Sequence, residues 1–328
     1  MATPLAQSAV NLRAIFRLSR TALHLASGML TVALIYSFIK QDTRLTLKQR
    51  WSQQTLTMLG VSLKVGAADA ADNAIAVHPL GLLVANHISF LDIFVINAWA
   101  PAAFVAKDDV RNWPLLGWLS RHTGTIFMQR GSRSAAHAAR DHLVSQLLAG
   151  QLVAVFPEGT TSDGHTVQPF HGALFQSAID AAVPVIPLAL RYVDAQTQRP
   201  THTADFVGDM TLISCLWSIA TSTGLIAQLE PLPALAPAGL DRRHLAAHAH
   251  HAIAHRLVHL KSMGVNAGIN KAVNPNLKAS PAADTAGETR ADLPVAPQSA
   301  RHPTGSPYQS PENPPVHDSP VPTNARKQ

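Results

Sequence analysis

The chain has 328 residues, 47% of them apolar, and 26 Lys and Arg against 20 Asp and Glu give a net charge of +6. That length supplies one sizeable core with attachments, and the single cysteine, Cys215, excludes an internal disulfide framework and a paired CxxC metal site. Charged residues at only 14% point to a lipid-facing part, a tail of small uncharged residues, or both. The charge is uneven. Residues 1–65 carry eight bases (Arg13, Arg17, Arg20, Lys40, Arg44, Lys48, Arg50 and Lys64) and one acid, Asp42. A basic stretch flanking an apolar run favours an anionic lipid surface and argues against a nucleic-acid partner.

Residues 21–39, TALHLASGMLTVALIYSFI, hold no formal charge between Arg20 and Lys40. As a helix this segment spans about 28 Å, marginal for a hydrocarbon core, and Thr21, His24, Ser27, Thr31 and Ser37 dilute it. It reads as one transmembrane or interfacial anchoring helix; the alternative is an amphipathic helix of a soluble protein. From about residue 66 short apolar runs alternate with helical stretches. AIAVHP (74–79), GLLVAN (81–86), AFVAK (103–107), TIFMQR (125–130), QLVAVFPEG (151–159) and VPVIPLALRY (183–192) read as strands. Residues 89–100, 112–122, 132–150 and 170–182 read as helices. This alternation predicts an α/β domain, a mixed, largely parallel sheet covered by helices, with its site at the carboxyl ends of strands.

Residues 241–263 form a further helix with His244, His248, His251, His255 and His259 on one face. That face is an exposed polar stripe, a metal site, or a surface that turns basic on acidification. Residues 272–328 hold 11 of the 23 prolines and no long apolar run, so they read as disordered. The expected organisation is a basic helical membrane-association segment (1–65), a catalytic domain (66–265) and a Pro-rich tail (266–328).

Four short patterns fall at the ends of predicted strands. The first is Asn86-His87-Ile88-Ser89-Phe90-Leu91-Asp92. Histidine is the natural base near neutral pH, and Asp92 can fix its tautomer. Five residues apart on a helix, the two side chains diverge by about 140°, so contact requires His87 to sit in the preceding turn and fold back. The competing reading is a variant capping box between Ser89 and Asp92. The second is TIFMQR, where Arg130 can hold phosphate or carboxylate and Lys107 after AFVA adds to the positive field. The third is Phe156-Pro157-Glu158-Gly159-Thr160-Thr161-Ser162, a strand running into an acid, a glycine and hydroxyls. The fourth is Val185-Ile186-Pro187-Leu188, where Pro187 marks an edge, a bend or a site wall.

In this order the four patterns resemble the blocks of the glycerolipid acyltransferase family, which includes bacterial 1-acylglycerol-3-phosphate acyltransferases and lyso-ornithine lipid acyltransferases. The resemblance covers roughly residues 75–195. It implies that His87 takes the proton of an acceptor hydroxyl, that Asp92 orients His87, and that Arg130 binds an acidic head group. It further implies that Glu158, Gly159 and Thr160 belong to the acceptor-binding block and that Pro187 lies by the acyl-binding wall. The donor would be acyl-CoA or acyl-carrier protein, the acceptor a membrane lysolipid, with no bound cofactor or metal. The place of action would be phospholipid biosynthesis at a bacterial inner membrane, with the catalytic domain facing the cytoplasm. Backbone amides around the helix after His87 are the candidates for an oxyanion hole.

Two departures bear on the substrate. Gln129 stands before Arg130 where many phosphate-type members carry an acid. The third block continues Thr160-Thr161-Ser162-Asp163, without the base common in phosphatidic-acid-forming members. The first reading is acylation of 1-acylglycerol 3-phosphate to phosphatidic acid; the alternatives are O-acylation of lyso-ornithine lipid, or a non-catalytic lipid-binding protein.

Overall fold

In a computed structural model, residues 4–66, 80–113, 115–128 and 133–273 are described. The predicted strand at 74–79 and residues 274–328 lie outside them. Met1–Leu277 form one compact unit.

Among the described residues, fifteen α-helices and strands follow in chain order. They are α1 (Pro4–Leu34), α2 (Gln41–Leu59), β1 (Val61–Val65), β2 (Leu82–Ala85), α3 (Leu91–Trp99), β3 (Ala103–Lys107), α4 (Leu116–His122), β4 (Ile126–Met128), α5 (Arg133–Leu148), β5 (Val153–Val155), α6 (Gln176–Asp180), β6 (Val185–Asp194), α7 (Leu212–Thr221), β7 (Leu225–Pro231) and α8 (Arg242–Val273). The strands form one sheet in the order β1-β7-β6-β2-β5-β3-β4. Five neighbours, β6, β2, β5, β3 and β4, run parallel; β7 is antiparallel to β6, and β1 is parallel to β7. The α/β expectation therefore holds. Beyond it, the structure adds α2, β1, α7 and β7, whose apolar runs are short or interrupted.

Both faces of the central strands are covered, which is why they read as unbroken apolar runs. Leu83 and Ala85 of β2 and Ile186, Leu188, Leu190 and Tyr192 of β6 pack in one cluster with Leu56 of α2, Leu91 and Val95 of α3, and Cys215 and Ile219 of α7. Leu82, Val84 and Val153 point the other way, to Leu143 of α5, Ala178 of α6 and Leu245 of α8. The alternation of β2 thus places the helices in two layers.

The N-terminal reading is corrected. No helix among the described residues is long and apolar enough to cross a membrane. The uncharged segment 21–39 is not one helix: α1 begins at Pro4, takes in Arg13, Arg17 and Arg20, and ends at Leu34, before a 3-10 turn at Tyr36–Phe38. The anchoring or interfacial helix, the transmembrane feature and the inner-membrane placement built on it are withdrawn. The bases there do structural work. Arg13 Nη2 donates to Thr221 O at 2.7 Å, and Arg17 Nη1 donates to Ala220 O and Ser222 O at 3.0 and 2.9 Å, capping the negative end of α7. Lys48 of α2 donates to Ala102 O and Thr123 O at 3.1 and 2.8 Å.

Pro187 is also corrected as an edge marker. It lies in interior strand β6 opposite Val84. The ladder with β7 starts one residue later, at Leu188–Pro231, so the missing N–H falls just outside it.

Candidate active site

β2 ends at Ala85, and the side chain of Asn86 extends its ladder. Asn86 Oδ1 accepts from Leu190 N–H at 2.8 Å, and Nδ2 donates to Leu190 O at 2.9 Å. An amide imitating a peptide keeps β6 in register while the backbone turns away. His87 thereby leaves the sheet at its carboxyl edge, in the loop before α3.

His87 folds back as the spacing requires: Nδ1 lies 2.8 Å from Asp92 Oδ2. The same oxygen accepts the N–H groups of Ile88 and Ser89 at 2.7 and 3.0 Å. Half of the capping box forms: Asp92 reaches back to the Ser89 N–H, whereas the N-cap position is Phe90 and the Ser89 hydroxyl makes no cap bond; the same carboxylate holds the imidazole. Asp92 has no exposed surface; a buried charge persists only when its lone pairs are satisfied. Because an ionised carboxylate only accepts, Nδ1 carries the proton and Nε2 remains as the basic nitrogen. The imidazole face rests on Phe156, with ring centroids 3.9 Å apart and planes 8° apart, and Phe104 backs Phe156 at 5.9 Å.

Glu158 is buried, and both its oxygens are engaged. Oε1 accepts His87 N–H at 2.7 Å and Oε2 accepts Gln168 N–H at 3.0 Å. Burial raises its carboxyl above the usual range against the pull of these two amides. Gly159 follows at φ +69°, a left-handed conformation that suits glycine. Thr161 Oγ1 donates to Phe206 O. Ser162 donates to His87 O through both N–H and Oγ, at 2.8 and 3.2 Å. Gly164, at φ +68°, packs on Ile88: a Cβ there would lie 2.7 Å from Ile88 Cδ1. The hydroxyl-rich departure in the third block is thus partly a set of stitches from the loop after β5 to His87 and to Phe206.

His87, Asp92 and Glu158 are brought together by hydrogen bonds. Thr160 is exposed beside Gly159, and exposed Lys107 ends β3 opposite Met128 of β4. The chain leading to Arg130 therefore emerges next to Lys107 at the carboxyl edge, while Arg130 itself lies outside the described residues. Pro187 lies within the sheet, off the loops that carry His87 and Glu158. Of the backbone amides around the helix after His87, the candidates for an oxyanion hole, those of Ile88 and Ser89 are already engaged by Asp92. Phe156, Asn86 and Tyr192 were given no role by sequence reasoning. For Tyr192 the signal was present: a tyrosine closing a buried run must find a partner for its hydroxyl.

Cys215 is buried, its thiol donates to Ala204 O and Asp205 O, and burial pushes it up to about 11, which leaves it inert as a nucleophile. His244, His248, His251, His255 and His259 of α8 form an exposed face. Among the described residues no group of three His, Cys, Asp or Glu is set to hold a metal.

Comparison with known proteins gives concordant matches. Residues 71–191 match the model of the Acyltransferase family. The 1-acyl-sn-glycerol-3-phosphate acyltransferase of Neisseria gonorrhoeae is 39% identical over 180 residues, which cover 52% of this chain and 69% of that protein. The lyso-ornithine lipid O-acyltransferase of Pseudomonas aeruginosa is 41% identical over 175 residues, covering 52% and 66%. The chain thus spans about two thirds of the length of each. The crystal structure of a 1-acyl-sn-glycerophosphate acyltransferase from Thermotoga maritima superposes with a TM-score of 0.57 over 78% of this chain and 98% of that one. At 20% identity that likeness bears on the fold alone.

Proposed function

The chain belongs to the acyltransferase family, and on that premise we propose that it moves a fatty acyl group from acyl-CoA or acyl-carrier protein to the free hydroxyl of 1-acylglycerol 3-phosphate, giving phosphatidic acid. The observation that carries the reading is the His87–Asp92 contact of 2.8 Å, with Nε2 left as a base. His87 removes the proton of the acceptor hydroxyl as its oxygen attacks the thioester carbonyl. The tetrahedral intermediate collapses with loss of the thiolate, which takes the proton back from His87 and leaves as the thiol. The buried Asp92 charge stabilises the transient imidazolium, and Phe156 offers it an aromatic face. Direct transfer needs no nucleophilic serine or cysteine; its rate comes from orientation and general-base catalysis. Lys107, exposed at the end of β3, supplies a cation for an anionic head group, and the resemblance assigns the same duty to Arg130.

Acylation of lyso-ornithine lipid is the second reading. It is favoured by the Pseudomonas aeruginosa relative and by the run Thr160–Asp163, which offers hydroxyls and an acid where a further phosphate-binding base is expected. The test is release of free thiol from acyl-CoA or acyl-carrier protein with lysophosphatidate or lyso-ornithine lipid, products identified by mass. Lysophosphatidate is expected to be the better acceptor, and His87→Ala to lower kcat by roughly 10²–10⁴-fold. Preference for lyso-ornithine lipid selects the second reading. Lysolipid binding without thiol release from the parent would make the protein a lipid binder.

A further inference from the structure

Asp92 has a second oxygen, and the structure shows what holds it. Oδ2 serves His87, Ile88 and Ser89, whereas Oδ1 accepts the hydroxyl of Tyr192 at 2.7 Å. Tyr192 is 3% exposed and stands 100 residues away in sequence, on the face of β6 that also carries Ile186, Leu188 and Leu190. Asn86 pins β6 at Leu190, two residues before Tyr192. The asparagine of the first block thus sets the register that delivers the phenol to the aspartate of the same block.

We infer that Tyr192 is a positioning residue for the acyl-transfer reaction: it clamps Asp92 Oδ1, so that Oδ2 stays aimed at His87 Nδ1, and it draws off part of the carboxylate charge. The inference rests on the general-base reading of His87. Two physical points support it. The carboxylate is held at both oxygens, with the phenol on one and the backbone amides of Ile88 and Ser89 on the other, so it cannot rotate without losing a buried hydrogen bond. The phenol also stays a donor, because burial and the neighbouring Asp92 raise its ionisation well above the ordinary range.

The sign of the effect follows from charge. A donor on Oδ1 stabilises the carboxylate and lessens what Oδ2 offers to an imidazolium. Removing the phenol hydroxyl leaves Oδ1 bare, concentrates charge towards His87 and favours its protonated form, in which Nε2 is no base. The groups facing the pair are His87 and Glu158 on the site loops, Tyr192 on β6, Asp205 before α7 and Cys215 on α7. Of these, the substitution that removes the hydroxyl changes Tyr192 alone.

The experiment compares the parent chain, His87→Ala, Tyr192→Phe and a chain with 3-fluorotyrosine at position 192, by thiol release across pH 5–9. Parent activity with loss in His87→Ala upholds the general-base reading; absence of thiol release from the parent would defeat that reading and this one together. Given an active parent, Tyr192→Phe is expected to lower kcat about tenfold, to leave KM for the lysolipid within about twofold, and to move the acid limb of the pH profile upward. The fluorinated phenol, a stronger donor of nearly the same shape, is expected to move that limb downward, and it keeps the test open if Tyr192→Phe does not fold. A folded Tyr192→Phe with the parent's kcat and pH profile overturns the inference. So does a loss that is uniform with pH and accompanied by a raised KM, the signature of a structural role alone. Fluorination that leaves the limb in place counts against it equally.

Discussion

At the scale of single residues, the site depends on how each carboxylate spends its lone pairs. Glu158 belongs by resemblance to an acceptor-binding block, yet its oxygens hold the backbone of His87 and Gln168. If its first duty is that clamp, Glu158→Gln, which sets an amide N–H against a backbone N–H, lowers kcat by about tenfold or more and leaves the acceptor KM unchanged. Initial rates against lysolipid concentration check this; a rise in KM at constant kcat would restore the ligand role. Phe156 stands in the third pattern, but no spacing rule foretells that its ring lies parallel to His87. Gly164 is bound by a close approach: Gly164→Ala meets Ile88 and forces a side chain into a left-handed conformation. It is expected to destabilise the fold by about 1–2 kcal/mol in urea unfolding.

At the scale of elements, the N-terminal helices owe their places to bases that a charge count alone assigns elsewhere. Arg17 reaches the end of α7, and Gly60 after α2 leaves room for it: a Cβ there would lie 2.4 Å from the guanidinium carbon. Lys48 tethers α2 to the loops after α3 and α4. Its stem is partly exposed but its ammonium is enclosed, and burial lowers it to about 8 from the ordinary 10.5. In the window between those values the unfolded chain binds more protons than the folded one, so this residue's contribution to stability rises with pH from about 8 to 10.5; below 8 its cost is felt in full. Denaturant unfolding of the parent across that window should show the rise, by up to about 3 kcal/mol. Lys48→Met, which keeps the stem and removes the titrating group, should flatten it.

At the scale of the whole molecule, Met1–Leu277 form one unit that holds every element named above, and the loops carrying His87 and Glu158 meet at the carboxyl edge of the sheet. A chain ending at residue 277 is expected to keep the parent's kcat, since the Pro-rich tail holds none of the four patterns; a fall beyond about twofold in the thiol-release assay would give the tail a catalytic role. The sequence alone determined the class of fold, since buried parallel strands must be continuous apolar runs separated by helices, and it determined the reaction, since four ordered patterns resemble one family. It also contained the His87–Asp92 pair, though as a choice between base and helix cap. Tertiary structure showed that the two are not exclusive, since Asp92 Oδ2 accepts the Ser89 N–H and also meets His87 Nδ1. It decided, too, that Arg13, Arg17 and Lys48 bind backbone carbonyls within the protein, and that Tyr192 meets Asp92. These contacts join residues tens to hundreds of positions apart, and local periodicity carries no information about which distant donor fills a lone pair; only the packing of α1, α2 and β6 around the core supplies it.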